Sequence, residues 1–169
     1  MTLTTHAVVG GAISAAFRLN PAASLLAGFM SHFLLDHIPH WDYISDKYLD
    51  ETNPLNDDIP INRESVGEWV KIIFDIFLGP SLVLFFFTLN GQGSGLASLL
   101  AGAFGGMLPD GLQFLAMKFK KIKLLVSFRQ LHLLMCSPIK IKGTLWGPFF
   151  QAVIILLALV LGNWRFFIG

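Results

Sequence analysis

Five apolar stretches constrain the fold of this chain more than any other feature. A helix needs about 20 apolar residues to cross a bilayer whose hydrocarbon core is about 30 Å thick. Hydrophobic residues make up 54% of the chain and charged residues only 14%, compared with about a quarter charged in soluble domains. The sequence therefore predicts an all-α, polytopic membrane bundle of about five transmembrane helices. They run from about His6 to Leu19, Ala22 to Ile38, Val66 to Leu89, Leu96 to Met117 and Leu145 to Ile168.

The whole chain, residues 1–169, is predicted to be a single integral membrane domain, because the spans and two polar segments use its full length. The single cysteine, Cys136, excludes a disulfide framework and a cysteine-based zinc site. No basic region precedes the first apolar stretch, so we interpret that stretch as a span and not as a removed signal. The near-neutral net charge of +1 does not indicate nucleic-acid binding.

Two polar segments set the expected topology: residues 41–65 are acidic and rich in turns, and residues 118–142 are basic. Alternate threading of five spans puts both segments and the N-terminus on one side, with Arg18 and Arg165 on the other. Ten of the twelve lysines and arginines then lie near one face, which the positive-inside rule makes cytoplasmic. We therefore predict a multi-pass protein with its N-terminus in the cytoplasm and its C-terminus outside.

The basic segment contains an apolar stretch from Leu124 to Met135 that is flanked by cations. This pattern is typical of a helix that lies in, or dips into, the membrane interface. Basic side chains at that depth attract anionic lipid headgroups. We predict that Lys120, Lys121 and Arg129 contact the headgroup of a bound lipid.

The segment from Ser31 to Asp42 carries three histidines and two aspartates at the end of an apolar stretch. In a helix, His32 and Asp36 are four residues apart and lie on one face, which His40 continues if Pro39 does not turn it away. Imidazoles and a carboxylate on one face are typical metal ligands, and ionisable groups at membrane depth are functional candidates. His37 lies about 100° around the helix, so both an interfacial and a ligating role stay open for it, as they do for Asp42.

An internal repeat adds further candidates. The segment Leu25–Asp36 aligns without gaps on Leu99–Asp110, with identity at six of the twelve positions. With the predicted topology both segments run in the same direction, so we predict a parallel repeat of two helical hairpins. Extended back by one span, the repeat sets His6 against Asp75. Each hairpin would then contribute one ionisable group from its first helix and one aspartate from its second.

Three aspartates are predicted at a similar depth in the membrane, and the repulsion between their carboxylates needs a positive charge or a proton to offset it. Two carboxylates about 6 Å apart repel by roughly 3 kcal/mol at an effective dielectric of 20. For Asp75 or Asp110 alone, the alternative is a carboxylate bonded to the backbone of a neighbouring helix or to a buried lysine. Taken together, and with histidines nearby, they favour a divalent metal ion, with zinc placed before manganese or iron. The predicted ligands are His6, His32, Asp36, Asp75 and Asp110.

Two further histidines are candidates for proton transfer. A divalent metal would lower the pKa of a water ligand to about 7 and polarise a phosphoryl oxygen. His40 or His132 would then act as general base or acid. His132 lies among leucines in the interfacial segment, from which it could fold over the site.

Several short motifs carry a resemblance. Thr5-His6, Ser31-His32 with Asp36, Pro39-His40-Trp41-Asp42 and Leu108-Pro109-Asp110 resemble a family of small bacterial and archaeal inner-membrane proteins called membrane-bound metal-dependent hydrolases. That family is distantly similar to zinc-dependent phospholipase C, and the resemblance runs from residue 5 to about 151. It implies a helical fold in the inner membrane, a metal site and hydrolysis. After Asp110 the chain lacks the Asp and His that follow in better-known members.

These patterns predict an enzyme that cleaves a phosphoester of a membrane lipid at the cytoplasmic headgroup layer. One alternative is a metal- or proton-coupled transporter, and another is a non-catalytic membrane protein with a structural metal site. A transporter needs a path to the far face, and apart from Arg18 and Arg165 at the outer ends of two spans no ionisable residue lies in the outer halves of the predicted spans. This favours a site open to one side. The headgroup, the bond cleaved and the oligomeric state are left open.

Overall fold

A computed structural model describes residues 1–50, 52–88, 95–137 and 145–164 of the chain. Within these ranges the chain forms six α-helices and no β-strand, so the predicted all-α class is confirmed. The helices are α1 (Leu3–Phe17), α2 (Pro21–Asp36), α3 (Val66–Thr88), α4 (Leu96–Lys118), α5 (Lys123–Met135) and α6 (Trp146–Gly162). Three short 3-10 helices occupy the acidic segment: Asp46–Tyr48, Pro54–Asn56 and Arg63–Ser65.

Local capping explains where the first hairpin turns. Arg18 closes α1 in the left-handed conformation, with φ of 49°. Asn20 then caps α2 by accepting a hydrogen bond from the backbone N–H of Ala23 at 2.9 Å, and Pro21 occupies the first turn, where its missing N–H costs nothing. The two helices are therefore joined by a connection of only three residues.

Glycines bring three helices into close contact. Gly10 of α1, Gly28 of α2 and Gly102 of α4 meet where a Cβ on any of them would overlap backbone or side-chain atoms of a neighbouring helix. Small residues at such crossings let helix backbones approach closely, as they do in membrane bundles. The crossing brings the ionisable residues of α1, α2 and α4 within reach of one another.

The order of contacts gives the helix directions. Thr4 of α1 packs at Gly79 of α3, and Gly11 of α1 packs further along α3 at Val83, so these helices run the same way.

The second helices of the two hairpins behave alike. Gly28 of α2 packs at Gly102 of α4, and His32 of α2 contacts Gly106 of α4 one turn further on. These helices therefore also run the same way. This is the arrangement that a parallel repeat of two hairpins requires.

The bundle buries an apolar core together with several polar side chains, and it exposes large apolar residues on its outside. The interior holds fully buried polar side chains such as His6, Ser14 and His32, whereas Leu34 and Phe77 on the outside are 73% and 68% exposed. Large contiguous apolar surface marks a site of contact with lipid or protein. The outer surface is therefore suited to an apolar surrounding.

Two helical segments are long and apolar enough to cross a membrane, namely Arg63–Thr88 and Leu96–Lys118. Leu3–Phe17 and Trp146–Gly162 are apolar but shorter. The five predicted transmembrane helices thus exceed the two that meet this criterion among the described residues. The predicted interfacial segment forms α5. Leu89, residues 138–144 and the chain from Arg165 onward lie outside the described residues.

Candidate metal centre

Four side chains from three helices converge on one point. His32 and Asp36 come from α2, Asp110 from α4 and His132 from α5, and one ligand atom from each lies within 4.8 Å of all the others. The Nε2 atom of His32 is central: it lies 2.8 Å from Nε2 of His132, 3.3 Å from Asp36 and 3.7 Å from Asp110. Two imidazoles and two carboxylates of this kind could hold a metal ion.

The orientation of His32 favours ligation. Its Nδ1 atom lies 2.8 Å from the backbone carbonyl oxygen of Gly106. A carbonyl only accepts hydrogen bonds, so Nδ1 carries the hydrogen, and in the neutral ring Nε2 presents a lone pair. That lone pair faces two carboxylates, an arrangement that is repulsive unless a cation or proton lies between them. Metal-ligating histidines are oriented in the same way by a hydrogen bond from the other ring nitrogen.

His132 is oriented by a glutamine. The side-chain amide of Gln113 donates to Nε2 of His132 at 3.1 Å and to Asp110 at 3.1 Å. Burial, together with the positive charge that His32 can carry, lowers the pKa of His132 to about 4, so its ring is neutral at pH 7. In the structure the Nε2 lone pair of this neutral ring accepts the hydrogen bond from Gln113, and a metal ion bound here would take the place of that hydrogen bond. The structure thus groups His132 with the candidate ligands, whereas the sequence predicted an acid–base role.

His6 from α1 completes the inner face of the cluster. Its ring is fully buried and stacks on that of His32, with 3.9 Å between the centroids. Its Nε2 atom pairs with Asp36 Oδ1 at 3.1 Å, and its Nδ1 atom has no hydrogen-bond partner among the described residues. A buried polar group without a partner costs about 1–3 kcal/mol. A cation beside His6 would remove that cost, so the donor set fits a metal ion.

The segment after α2 brings three more groups to the rim. His40 Nε2 lies 3.8 Å from Asp36 and 3.4 Å from Asp42. The Met1 ammonium lies 3.2 Å from Asp36 and 2.9 Å from Asp42. Burial alone would lower the pKa of this amino group, but the charges of Asp42 and Asp36 outweigh burial and raise it. His37 is exposed and faces the backbone oxygen of Met135 instead.

Asp75 does not join the cluster, which corrects the ligand set predicted from the sequence. Its carboxylate accepts hydrogen bonds from the backbone N–H groups of Leu3 at 2.6 Å and Thr4 at 3.0 Å, and from the Thr4 hydroxyl. It therefore caps the N-terminus of α1 from the neighbouring helix. Burial and the Asp75 carboxylate also raise the pKa of Tyr43. The alternative of a carboxylate bonded to a neighbouring helix is the one observed.

The predicted headgroup residues fall into two kinds. Arg129 is 2% exposed and binds Asp57 at 2.9 Å and the backbone oxygen of Pro54. Burial lowers its pKa, and Asp57 opposes that shift. Arg129 is thus a structural link between α5 and the acidic segment, and its burial does not fit headgroup binding. Lys120 and Lys121 are exposed and line a surface groove of about 430 Å³ at the end of α4.

Sequence reasoning missed two of the groups that orient the centre. Gln113 lies one turn beyond Asp110 on α4, and this spacing alone could have indicated it. Gly106 occupies the repeat position that corresponds to His32, so the helix that lacks the imidazole supplies the carbonyl that holds it.

Cys136 also lies near the cluster, with Sγ 3.1 Å from Nδ1 of His132. Burial and the charge of Asp36 raise the pKa of its thiol. A neutral thiol is a weak ligand and a weak nucleophile. Cys136 is also not part of the group of ligand atoms that lie within 4.8 Å of one another, and we leave it out of the candidate ligand set on that geometry.

Comparison of this chain with family models, curated proteins and solved structures gave no match. The resemblance to membrane-bound metal-dependent hydrolases therefore stays a prediction from short motifs.

Proposed function

We propose that this protein is a membrane-embedded, metal-dependent hydrolase that cleaves a phosphoester of a membrane lipid at the cytoplasmic headgroup layer. The observation that carries the proposal is the convergence of His32, Asp36, Asp110 and His132, with imidazole lone pairs directed at carboxylates. Nitrogen and oxygen donors of this kind suit zinc, and also manganese or iron. Calcium and magnesium prefer sites built from oxygen alone.

The residues around the centre have separable roles. When bound, a divalent ion polarises a phosphoryl oxygen and lowers the pKa of a water ligand. Gly106 holds the ligating imidazole of His32 in one orientation, and the Gln113 amide lies between His132 and Asp110. Asp110 is the most open of the four, with its side chain 25% exposed, whereas the Asp36 side chain is 4% exposed. Asp110 is therefore the carboxylate best placed to accept a proton from incoming water.

The membrane setting has two supports besides the composition. Large leucine and phenylalanine side chains are exposed on the outside of the bundle, and several polar side chains are buried inside it beside the apolar core. α1 and α3 run in the same direction, and α2 and α4 also run in the same direction as each other. We propose that α1, α2, α3, α4 and α6 all cross the bilayer, the shorter ones where it is locally thin, with the metal centre in the cytoplasmic half.

The substrate class follows from what surrounds the centre. α5 carries His132 at the cluster and a largely apolar exposed face that includes Leu124 and Leu134. Lys120 and Lys121 lie exposed just before this helix. Cations at an interfacial helix attract anionic headgroups, so a phospholipid or a lipid-linked phosphate fits better than a soluble phosphoester.

Phosphate or headgroup release tests the proposal. Metal-loaded protein should hydrolyse at least one anionic phospholipid or lipid-linked phosphate in mixed micelles and should act poorly on p-nitrophenyl phosphate. Asp110→Ala should abolish turnover, and His37→Ala should keep it, because His37 lies outside the cluster. Charge reversal at Lys120 and Lys121 should weaken lipid binding, with a loss that depends on salt.

Two results would replace this function. If no lipid in the panel is hydrolysed, and ion or solute flux in proteoliposomes depends on Asp36 and Asp110, the protein is a transporter. If neither activity is found while metal loss unfolds the protein, the metal site is structural.

A further inference from the structure

The two oxygens of Asp36 face two different groups of nitrogen atoms. Oδ2 faces the group already described, with His32 Nε2 at 3.3 Å and His132 Nε2 at 3.9 Å. Oδ1 faces His6 Nε2 at 3.1 Å and His40 Nε2 at 3.8 Å. One carboxylate thus lies between two sets of imidazoles, each on its own oxygen.

His40 is oriented in the same way as His32. Its Nδ1 atom lies 2.8 Å from the backbone oxygen of Ile38 and donates to it, because a carbonyl only accepts. In the neutral ring, the Nε2 lone pair is therefore directed toward Asp36 Oδ1 and toward Asp42 Oδ1 at 3.4 Å. Lone pairs and carboxylate oxygens so arranged repel one another unless a positive charge lies among them.

Two independent observations indicate a cation at this second position. The fully buried His6 places its Nε2 atom 3.1 Å from the same oxygen, Asp36 Oδ1, so a third nitrogen or oxygen donor converges there with His40 and Asp36. The Met1 ammonium contacts Asp36 Oδ1 at 3.2 Å and Asp42 Oδ1 at 2.9 Å, so a positive group already occupies this position in the structure.

We infer that His6, His40, Asp42 and Oδ1 of Asp36 form a second divalent-cation site, and that Asp36 bridges it to the first. This inference rests on the metal centre of the proposed function. A divalent cation would take the place of the Met1 ammonium. His40 is then a ligand in place of the acid–base role predicted from the sequence.

The two proposed cation sites that share Asp36 favour a phosphoester as the substrate. Two-metal sites stabilise both the attacking and the leaving oxygen of an in-line displacement at phosphorus. A phosphoester, whose attacking and leaving oxygens lie on opposite sides of phosphorus, can use both positions of such a site. The Asp36 carboxylate, held from both sides, would fix the spacing of the two positions.

Titration with Mn²⁺ tests the second site independently of activity. Protein stripped of metal in detergent should bind two equivalents at saturation, measured by equilibrium dialysis. Its low-temperature electron paramagnetic resonance spectrum should show two exchange-coupled ions, because a bridging carboxylate transmits the coupling. His40→Ala and Asp42→Asn should bind one equivalent and show the uncoupled six-line spectrum.

Variants on the first site give the matched comparison. Asp110→Ala and His132→Ala should also bind one equivalent without coupling, and Asp36→Asn should lose the coupling. His37→Ala should keep two coupled ions, since it lies next to the cluster in sequence but outside it in space. Circular dichroism and gel filtration show which variants remain folded, and the wild-type stoichiometry needs no variant at all.

Saturation of the wild-type protein at one equivalent would overturn the inference. So would two equivalents that persist, still coupled, in folded His40→Ala and Asp42→Asn. Lipid hydrolysis with a single bound ion would leave the proposed function in place and remove the second site. Two coupled ions without hydrolysis would leave the site in place and remove the function.

Discussion

The Nδ1 atom of His32 donates a hydrogen bond to the carbonyl oxygen of Gly106 across 2.8 Å. This bond joins the orientation of a candidate metal ligand to the crossing of α2 and α4. On its other side α4 can approach α1 this closely only because Gly106 has no side chain: a Cβ there would overlap the backbone of His6 on α1. Packing between the helices and the geometry of the centre therefore depend on one another.

Gly106→Ala should weaken metal binding, because the added methyl pushes α1 and α4 apart and moves the carbonyl that holds His32. Overpacking of this kind costs about 1–3 kcal/mol, and a lost orienting bond lowers metal affinity about 10–100-fold. Isothermal titration of stripped protein with Zn²⁺ measures the affinity. Gly111→Ala on the same helix is the control, since nothing lies within 4 Å of a Cβ there. Equal affinity in the two variants would mean that helix packing at Gly106 does not affect the metal centre, and it would contradict this prediction.

Asp75→Ala should lower stability and leave the metal in place. Asp75 caps the first turn of α1 through Leu3 and Thr4, and loss of such a cap costs about 1 kcal/mol. Thermal unfolding in detergent should show a lower Tm, whereas the metal content of the folded protein should not change. Asp75→Asn keeps one acceptor oxygen and should recover part of the stability. Metal loss at an unchanged Tm would instead return Asp75 to the ligand set.

Asp57→Ala should be strongly destabilising, since it leaves the buried guanidinium of Arg129 without its carboxylate. Removing one partner of a buried ion pair costs about 3–5 kcal/mol. Asp58→Ala is the matched control, because its partner Lys118 is more exposed and a surface pair contributes about 1 kcal/mol or less. The free energy of unfolding in detergent measures both. A similar loss in the two variants would mean that Arg129 does not anchor α5.

Cysteine labelling should report both polar segments on the cytoplasmic side. In a Cys136→Ser background, Ile61→Cys and Lys121→Cys should be shielded from an impermeant thiol reagent in intact cells, and Arg18→Cys should react. The expectation follows from the positive-inside rule. Ile61 is 81% exposed and Lys121 is exposed, so shielding would come from the membrane and not from burial. Reaction at both polar segments, with shielding at residue 18, would invert the topology.

The helical character and the core of the candidate site were predictable from local patterns. The spacing of His32 and Asp36 puts both on one helix face whatever surrounds them, and their position at the end of an apolar stretch indicates function. The repeat located Asp110 because the same sequence pattern recurs in a helix that packs in parallel. Both inferences depend only on the spacing of residues within a helix, which can be counted in the sequence.

Other roles depend on which helix lies beside which, and short-range spacing does not contain that information. Asp75 resembles the other aspartates in its setting, yet it faces the N-terminus of α1, where two backbone N–H groups need an acceptor. His132 was expected near the site, but its place among the candidate ligands depends on α5 packing it beside His32 of α2. From the sequence, Arg129 is expected to be a surface cation, but in the structure it is buried in an ion pair with Asp57, which is 72 residues away in the chain.

Metal analysis of protein purified without chelator tests the proposed centre most directly. Mass spectrometry of the folded wild-type protein should find at least one equivalent of a transition metal, zinc first among them, and His37→Ala should retain it. Asp36→Ala and Asp110→Ala should lose it, because each removes a carboxylate from the cluster around His32. Wild-type protein that is free of metal, yet folded, stable and unable to take up zinc, manganese or iron, would contradict a metal centre at this site.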